Sequence, residues 1–335
     1  MRYLSVCAGI EAASVAWHHL GWTPVAFSEI EKFPSAVLAH HYPTVPNWGD
    51  MTKFKEWPDE SIDLLVGGTP CQSFSVAGLR KGLADPRGNL MLTYLAIADR
   101  YRPEWLVWEN VPGVLSSNGG RDFGALLGGL AELRYGFAYR ILDAQYFGVA
   151  QRRRRVFVVG HLGDWRPATA VLFERKSLRR DTAPSREKRE TATGNSAQFF
   201  EPRSPDGHAR LIGDFAPTLN RMGGGQREPC VMTWPATIAP TLNAHFGDKQ
   251  GFEDQHVNGG AGLFVDPMAV RRLTPVECER LQGFPDNYTN IPWRKKEESP
   301  DGPRYKALGN SMAVPCMQWI GQQIKSVEEV LQWSK

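Results

Sequence analysis

Asp63-Leu-Leu-Val-Gly-Gly-Thr-Pro-Cys-Gln-Ser-Phe-Ser75 is a short apolar run that passes straight into a Gly-Gly-Thr-Pro turn and then a cysteine. An apolar run of this length bounded by turn residues reads as an interior strand, covered on both faces of its sheet. Open α/β folds bind ligands at the carboxyl ends of such strands, which is where Cys71 falls. Taken alone, Cys71 also reads as a small apolar residue, as free cysteines often are. What flanks it decides between the two.

From Arg2 to about Gly160, short β-rich runs alternate with helical patterns, the rhythm of a parallel sheet covered by helices. The expected strands are Tyr3–Val6, Pro24–Phe27, Ile62–Val66, Trp105–Trp108, Tyr139–Asp143 and Val156–Val159. Helical spacing of apolar residues marks Glu11–Leu20, which stops at Gly21, and then Leu90–Tyr101 and Phe123–Leu133. After Asp164 the periodicity gives way to polar, charged and Gly/Pro-punctuated sequence as far as about Asp266. Within it Ala216-Pro-Thr-Leu-Asn220 recurs as Ala239-Pro-Thr-Leu-Asn243, which suggests two similar strand-turn units and is too few copies for a solenoid. Regular patterning returns with Thr274–Gln282, where Thr274 is the N-cap, Pro275 the first helical residue and Gly283 the stop, and ends with the helix Ala313–Trp333. The fold expected is therefore α/β, a doubly wound, mostly parallel sheet of Rossmann type. Residues 1–163 plus 267–335 would form it, and 164–266 would form a smaller, irregular, β-rich domain.

Bulk properties narrow the function. With 42% hydrophobic and 22% charged residues, a chain of 335 residues suits a soluble globular protein with one large core and a smaller one. No apolar run is long enough to span a bilayer, and the N-terminus lacks a signal-like apolar region, so a cytoplasmic location is expected. The five cysteines are scattered without C-x-x-C spacing, which suggests neither a zinc site nor a disulfide framework. A net charge of +3 says little about a polyanionic partner, but clusters say more: Gln151 precedes four arginines, and seven basic residues lie between Arg175 and Arg189 against two acidic ones.

Two further elements join Cys71. The strand Trp105–Trp108 runs into Glu109-Asn110-Val111-Pro112, which puts a carboxylate at the edge of a neighbouring strand or is simply a polar strand end. Gln151-Arg-Arg-Arg-Arg155 leads into Val156-Phe-Val-Val159, and strand alternation sends Arg153 and Arg155 to one face and Arg152 and Arg154 to the other. One pair could enter a site while the other meets solvent.

Together these elements resemble the C5-cytosine DNA methyltransferase family, in order and spacing, over nearly the whole chain outside the middle region. Thr69-Pro-Cys-Gln72 is similar to its nucleophile motif, Glu109-Asn-Val111 to its Glu-Asn-Val motif, and Gln151 to Arg155 to its Gln-x-Arg-x-Arg motif. Arg271-Arg-Leu-Thr-Pro275 with Gln282-Gly-Phe-Pro285 resembles the ninth motif, and Gly309-Asn-Ser-Met-Ala-Val-Pro315 the tenth. Five ordered matches are far more specific than any one. The chemistry accounts for the residue types. C5 of cytosine is too electron-poor to attack a methyl sulfonium until a nucleophile adds at C6, and a thiolate suits that addition. Cys71 is the expected nucleophile. Density pushed toward N3 calls for an acid there, the role the resemblance implies for Glu109 beside Asn110. Arg153 would contact the cytosine O2 and Arg155 would support the nearby loop.

The resemblance also implies S-adenosylmethionine as cofactor, held by Ala8, Gly9 and Ile10, Glu29 and Ile30, Asp50 and Met51, Gly68 and Pro70, and Asn310 and Ser311. The first motif departs from the usual pattern, with Cys7 in place of an aromatic and Glu11-Ala12 in place of a second glycine. Glu29, about twenty positions past the Gly9 turn, matches where doubly wound folds bind ribose hydroxyls, and Asp50 would accept from the adenine amino group. The partner implied is double-stranded DNA, touched by Gln72, Ser73, Arg80, Lys81, Arg87 and Arg271, with the cytosine flipped out because a stacked base hides C6. The middle region would read the target sequence. A monomer, no membrane partner, and a restriction-modification or phage setting with a cognate endonuclease complete the expectation. Rival readings are a cysteine-dependent enzyme of free nucleotides or tRNA, and a non-catalytic DNA-binding protein that retains the cofactor fold.

Overall fold

The computed structural model describes residues 1–70, 90–173 and 269–333, together with the strands at 196–201, 210–213 and 230–233. Cys71, Gln72, Ser73, Arg80, Lys81, Arg87, the basic run from Arg175 and both Ala-Pro-Thr-Leu-Asn copies lie outside the described residues. The chain divides into two compact units: Met1–Asp143, Arg154–Thr182 and Ser311–Lys335 form the first, and Ala144–Arg153 with Ala183–Asn310 the second. Composition had suggested breaks at about 164 and 266. The first unit extends past the former because the helix at 165–172 packs on its sheet, and the second extends past the latter to Asn310.

The first unit is built on a six-stranded sheet of β1 (Arg2–Val6), β2 (Thr23–Ser28), β3 (Leu64–Gly67), β4 (Trp105–Asn110), β5 (Tyr135–Asp143) and β6 (Arg154–Leu162). Its order is β2-β1-β3-β4-β6-β5. The first four strands are parallel, while β6 runs antiparallel to both β4 and β5. Every residue of β3 and β4 is buried, as expected of strands covered on both faces. The covering helices are α1 (Ala12–Trp17), α2 (Lys32–His41), α3 (Leu90–Tyr101), α4 (Arg121–Glu132), α5 (Trp165–Leu172) and, from the C-terminus, α8 (Val314–Trp333). On one face Leu92 and Leu95 of α3 and Leu126 and Leu130 of α4 join Leu65, Leu106 and Trp108 in a continuous core. Elsewhere α8 packs on α1, and Trp17 Nε1 donates to the Met317 carbonyl at 2.7 Å.

The second unit contains the antiparallel sheet β10-β9-β7-β8, made of β7 (Ser196–Glu201), β8 (Arg210–Gly213), β9 (Cys230–Thr233) and β10 (Ala269–Arg272). Arg271 lies in β10, with only its backbone described. Helix α6 (Pro275–Gln282) carries the anticipated capping box, in which Glu277 N–H donates to Thr274 Oγ1 and Thr274 N–H to the Glu277 carboxylate, and ends on Gly283 in the left-handed region. Helix α7 (Asp301–Asn310) is tied to α6 by Arg304, whose Nη2 reaches the buried Glu279 carboxylate at 3.2 Å. Among the described residues no helix is long and apolar enough to cross a membrane.

Three helices, α2, α5 and α7, had not been anticipated, and β5 begins four residues earlier than expected. The α/β class and the mostly parallel sheet are as the strand-helix rhythm implied, whereas the antiparallel β6 is not.

Candidate active site

Strand β1 has β2 on one side and β3 on the other, so the chain order reverses at β1 and a crevice opens at the carboxyl ends of β1 and β3. Out of β1 comes the loop Cys7-Ala8-Gly9-Ile10-Glu11. Cys7, Gly9 and Glu11 all have positive φ, of 50°, 57° and 65°. Holding two non-glycine residues there costs about 1–3 kcal/mol each, so the loop needs strong local ties. They are present. Ala8 N–H donates to the Ser28 carbonyl, Gly9 N–H to Glu29 Oε2 at 2.8 Å, and Ile10 is fully buried. Glu11 caps α1, accepting from the Ser14 N–H and from the hydroxyls of Ser14 and Ser5. Burial pushes its carboxyl up to about 7 against the opposing pull of those hydrogen bonds.

Glu29 knits this rim together. Besides Gly9, it accepts from the N–H groups of Ile30 at 2.9 Å and Glu31 at 2.7 Å. Its neighbour Ile30 is 70% exposed, an apolar surface beside this rim. Asn47 latches the next loop. Its Oδ1 accepts from Glu29 N–H and Gly49 N–H, and its Nδ2 donates to the Glu29 carbonyl and Ser35 Oγ. Beyond Gly49, Asp50 caps a short 3₁₀ turn by accepting from Thr52 N–H and Oγ1 on Oδ1, which leaves Oδ2 without a hydrogen bond from the described residues. Met51 is buried behind it, its sulfur 3.4 Å from Cys7 Sγ. Burial, with the Glu29 and Asp50 carboxylates nearby, pushes the Cys7 thiol up to about 12, so it stays protonated and apolar.

The adjoining edge carries the other expected residues. Gly67 has no room for a side chain, since a Cβ would lie 2.6 Å from both Val6 Cγ2 and the Val6 carbonyl oxygen. A Cβ on Gly68 would lie 3.1 Å from Glu109 Oε2, which places the β3 turn directly against that carboxyl group. The turn is fixed from β4: Trp108 Nε1 donates to Thr69 Oγ1 at 3.0 Å, and Asn110 Nδ2 donates to the Thr69 carbonyl at 2.8 Å while its Oδ1 accepts from Val111 N–H. Pro70 follows, exposed, and is the last described residue before Cys71. Arg155 Nε lies 3.1 Å from Glu109 Oε1, with both side chains largely buried. Arg153 is also buried, while Arg152 and Arg154 are exposed, the pairing that alternation gave. Within the second unit Arg153 Nη2 donates to the Gly309 carbonyl at 3.2 Å, next to the exposed Asn310. Ser311, in the first unit, is buried and donates to the Met312 carbonyl.

Two positioning residues were missed from sequence, Asn47 and Trp108, and Thr69 was read there only as part of the nucleophile motif. Asn47, two residues before Gly49, carries a legible signal, since an Asn ahead of a turn glycine is a common way to bridge backbone groups.

A doubly wound sheet with ligand-ready loops at its reversal point, and a carboxyl group beside a Thr-Pro turn on the next strand, defines a nucleotide-cofactor enzyme fold. The model of the C-5 cytosine-specific DNA methylase family matches residues 1–326, and the chain belongs to that family, whose members are S-adenosylmethionine-dependent methyltransferases. It is similar to a DNA N-6-adenine-methyltransferase of Escherichia phage P1, at 37% identity over 96% of this chain and 61% of that protein. It is also 30% identical to the type II methyltransferase M1.ScrFI of Lactococcus lactis subsp. cremoris, over 98% of this chain and 79% of that one. Among solved structures, a mutant of Spodoptera frugiperda DNMT2 superimposes with a TM-score of 0.62 at 17% identity, covering 97% of this chain and 99% of the other, which establishes the shared fold.

Proposed function

We propose that this chain methylates C5 of a cytosine flipped out of duplex DNA, with Cys71 adding to C6 and S-adenosylmethionine donating the methyl group. The observation that carries the proposal is the meeting of the Gly68-Thr69-Pro70 turn with Glu109 and Asn110 at one sheet edge, because these are the described parts of the two motifs that the chemistry needs together. The cofactor's role is to supply an electrophilic methyl group. The described residues fit it: the Oδ2 atom of Asp50 is ready to accept from an amino group, the side chain of Ile30 offers an apolar surface, and Glu29 lies between the two loops.

In this reading the Cys71 thiolate forms a bond to C6, and the electron pair displaced from the C5–C6 bond is delocalised toward N3, where Glu109 supplies a proton or hydrogen bond. C5 takes the methyl group, the C5 proton leaves to a base, and elimination breaks the sulfur–C6 bond. The distances favour exchanging the two arginine roles expected from sequence. Arg155, beside Glu109, suits contact with the ring and orientation of the carboxyl group, and Arg153, bonded to the Gly309 carbonyl, suits support of the Asn310 turn. The segment 164–266 would read the target sequence. A monomer serving a restriction-modification or phage-protection system is the corresponding biological reading.

The adenine-N6 specificity that the phage P1 relative's name carries supports a second reading, adenine N6 methylation. This chain spans only 61% of that protein, and an exocyclic amine needs no covalent activation, so a nucleophilic cysteine in the Thr-Pro-Cys motif would have no task there. Nucleoside mass spectrometry of duplex DNA and tRNA incubated with the enzyme and S-adenosylmethionine separates the readings. The expected product is 5-methylcytosine in DNA, absent with Cys71→Ala while cofactor binding persists. N6-methyladenine as the product, methylation of tRNA alone, or undiminished 5-methylcytosine in the alanine variant would each defeat the proposal.

A further inference from the structure

Glu104, His161 and Glu328 each bring one donor atom to a point where all three lie within 4.8 Å of one another. They come from three elements of the first unit. Glu104 precedes β4, and its carbonyl accepts from Leu162 N–H at 2.9 Å. His161 lies near the end of β6, directly across from Trp105 in the antiparallel register. Glu328 belongs to the C-terminal half of α8. The cluster sits at the amino end of β4, whereas Glu109 stands near its carboxyl end, roughly 16 Å away at about 3.3 Å per residue.

The histidine is what distinguishes this group from an ordinary acidic patch. His161 is only 8% exposed, and both ring nitrogens are buried without a hydrogen bond from the described residues. Its Nε2 points at Glu104, 3.5 Å from Oε1. A buried imidazole with both nitrogens unsatisfied is costly and calls for a partner. The neighbours are already arranged around it. Trp105 packs edge-on against the imidazole, with ring centroids 4.7 Å apart, and its Nε1 donates to Glu328 Oε1 at 2.6 Å. That bond orients the Glu328 carboxylate and leaves its second oxygen for another ligand, as outer partners of metal ligands commonly do.

We propose that Glu104, His161 and Glu328 form a structural zinc site that fastens α8 to the end of the sheet. One imidazole nitrogen with two carboxylates suits Zn2+ better than Ca2+ or Mg2+, which favour all-oxygen shells. Donors about 2.1 Å from a tetrahedral ion lie about 3.4 Å apart, so the present separation of up to 4.8 Å closes by rotation of the glutamate side chains. The Glu104 side chain is half-exposed and free to make it, and water completes the shell. The absence of C-x-x-C spacing says nothing about such a site, because its ligands are far apart in sequence and include no cysteine.

The test is titration of the metal-stripped full chain with Co2+ and Zn2+, read by calorimetry, visible absorption and thermal melting. Expected are one equivalent of binding, a Co2+ spectrum without a sulfur-to-metal charge-transfer band, and a Zn2+-dependent rise in Tm. Glu104→Gln, at an exposed position, should weaken Co2+ affinity at least tenfold and abolish the Tm response; Glu328→Gln, which keeps an acceptor for Trp105, should do the same. Coincident titrations of wild type and both variants would overturn the site and leave His161 and Glu104 as a side-chain contact only. A thiolate charge-transfer band would overturn it as well, by moving the metal to a cysteine.

Discussion

Asn110→Asp is the sharpest probe of the active-site edge. The native side chain is 5% exposed and makes two hydrogen bonds of 2.8 Å, one donated to the Thr69 carbonyl and one accepted from Val111 N–H. Aspartate keeps the second bond but turns an oxygen toward the Thr69 carbonyl, so two acceptors face each other. Leaving one buried carbonyl unsatisfied costs about 1–3 kcal/mol, and the repulsion adds to that. A protein with a typical stability of about 5–15 kcal/mol stays folded through such a loss. The relief available is movement of the Thr69-Pro70 turn, which carries Cys71. A displacement of about 1 Å at a reacting atom can lower a rate about 100-fold. The measurements are kcat/KM for transfer of a labelled methyl group to duplex DNA, the Kd for S-adenosylmethionine, and Tm. The expected pattern is a large fall in kcat/KM and a modest fall in Tm with a much smaller change in cofactor affinity, because Gly9, Glu29 and Asp50 are tied by other bonds and only Gly68 and Pro70 of the expected cofactor contacts belong to the turn. A variant with wild-type rate and Tm would refute the argument, and so would one whose loss lay wholly in cofactor affinity.

Two further outcomes follow from local packing and charge. Gly67→Ala must separate β1 from β3, since the new Cβ would lie 2.6 Å from Val6 backbone and side chain alike, and urea denaturation should show a loss of at least about 1–3 kcal/mol; a change below about 0.5 kcal/mol would contradict the close approach. Glu11 holds its proton in the folded protein up to about 7, above the ordinary 4.5, so its contribution to stability is fully present below 4.5 and is lost as pH rises toward 7. The loss amounts to at most about 3 kcal/mol, and Glu11→Gln, which cannot ionise, should gain on wild type between pH 5 and pH 8. A stability difference that does not change with pH would sink that reading.

The strands were legible because each is a compact β-rich or apolar run between turn residues, and the alternation of Arg152 to Arg155 sorted the arginines into the two pairs that differ in exposure, without saying which pair is covered. The partner of each arginine was not legible, because the diagonal between Arg155 and Glu109 depends on the register of β6 against β4. Strand β5 was read short because Gly136 resembles a loop residue; there it lets the backbone of Asp164 and Trp165 pass closely. Helix α7 was hidden by Gly302 and Pro303, which favour a turn locally, whereas Arg304 bound to Glu279 holds the helix in place. Glu11 could be seen as a departure from the family pattern but not as a helix cap, since that role depends on a left-handed backbone and two serine hydroxyls. The cluster at Glu104 joins residues more than two hundred positions apart, beyond the reach of any local pattern.

The reversed strand in the sheet has a consequence for how this fold tolerates change. Asn110 is paired with Val156 and Glu109 with Phe157, so Arg155 meets the carboxyl group across the ladder only while that alignment holds. A single inserted residue within 156–160 would turn the guanidinium to the opposite face and dismantle the charge pair without touching either member. Additions to 144–150, ahead of Gln151 and Arg153 in the return between two neighbouring strands, would leave the alignment intact. Length variation among natural sequences should therefore collect in the connection and avoid the strand.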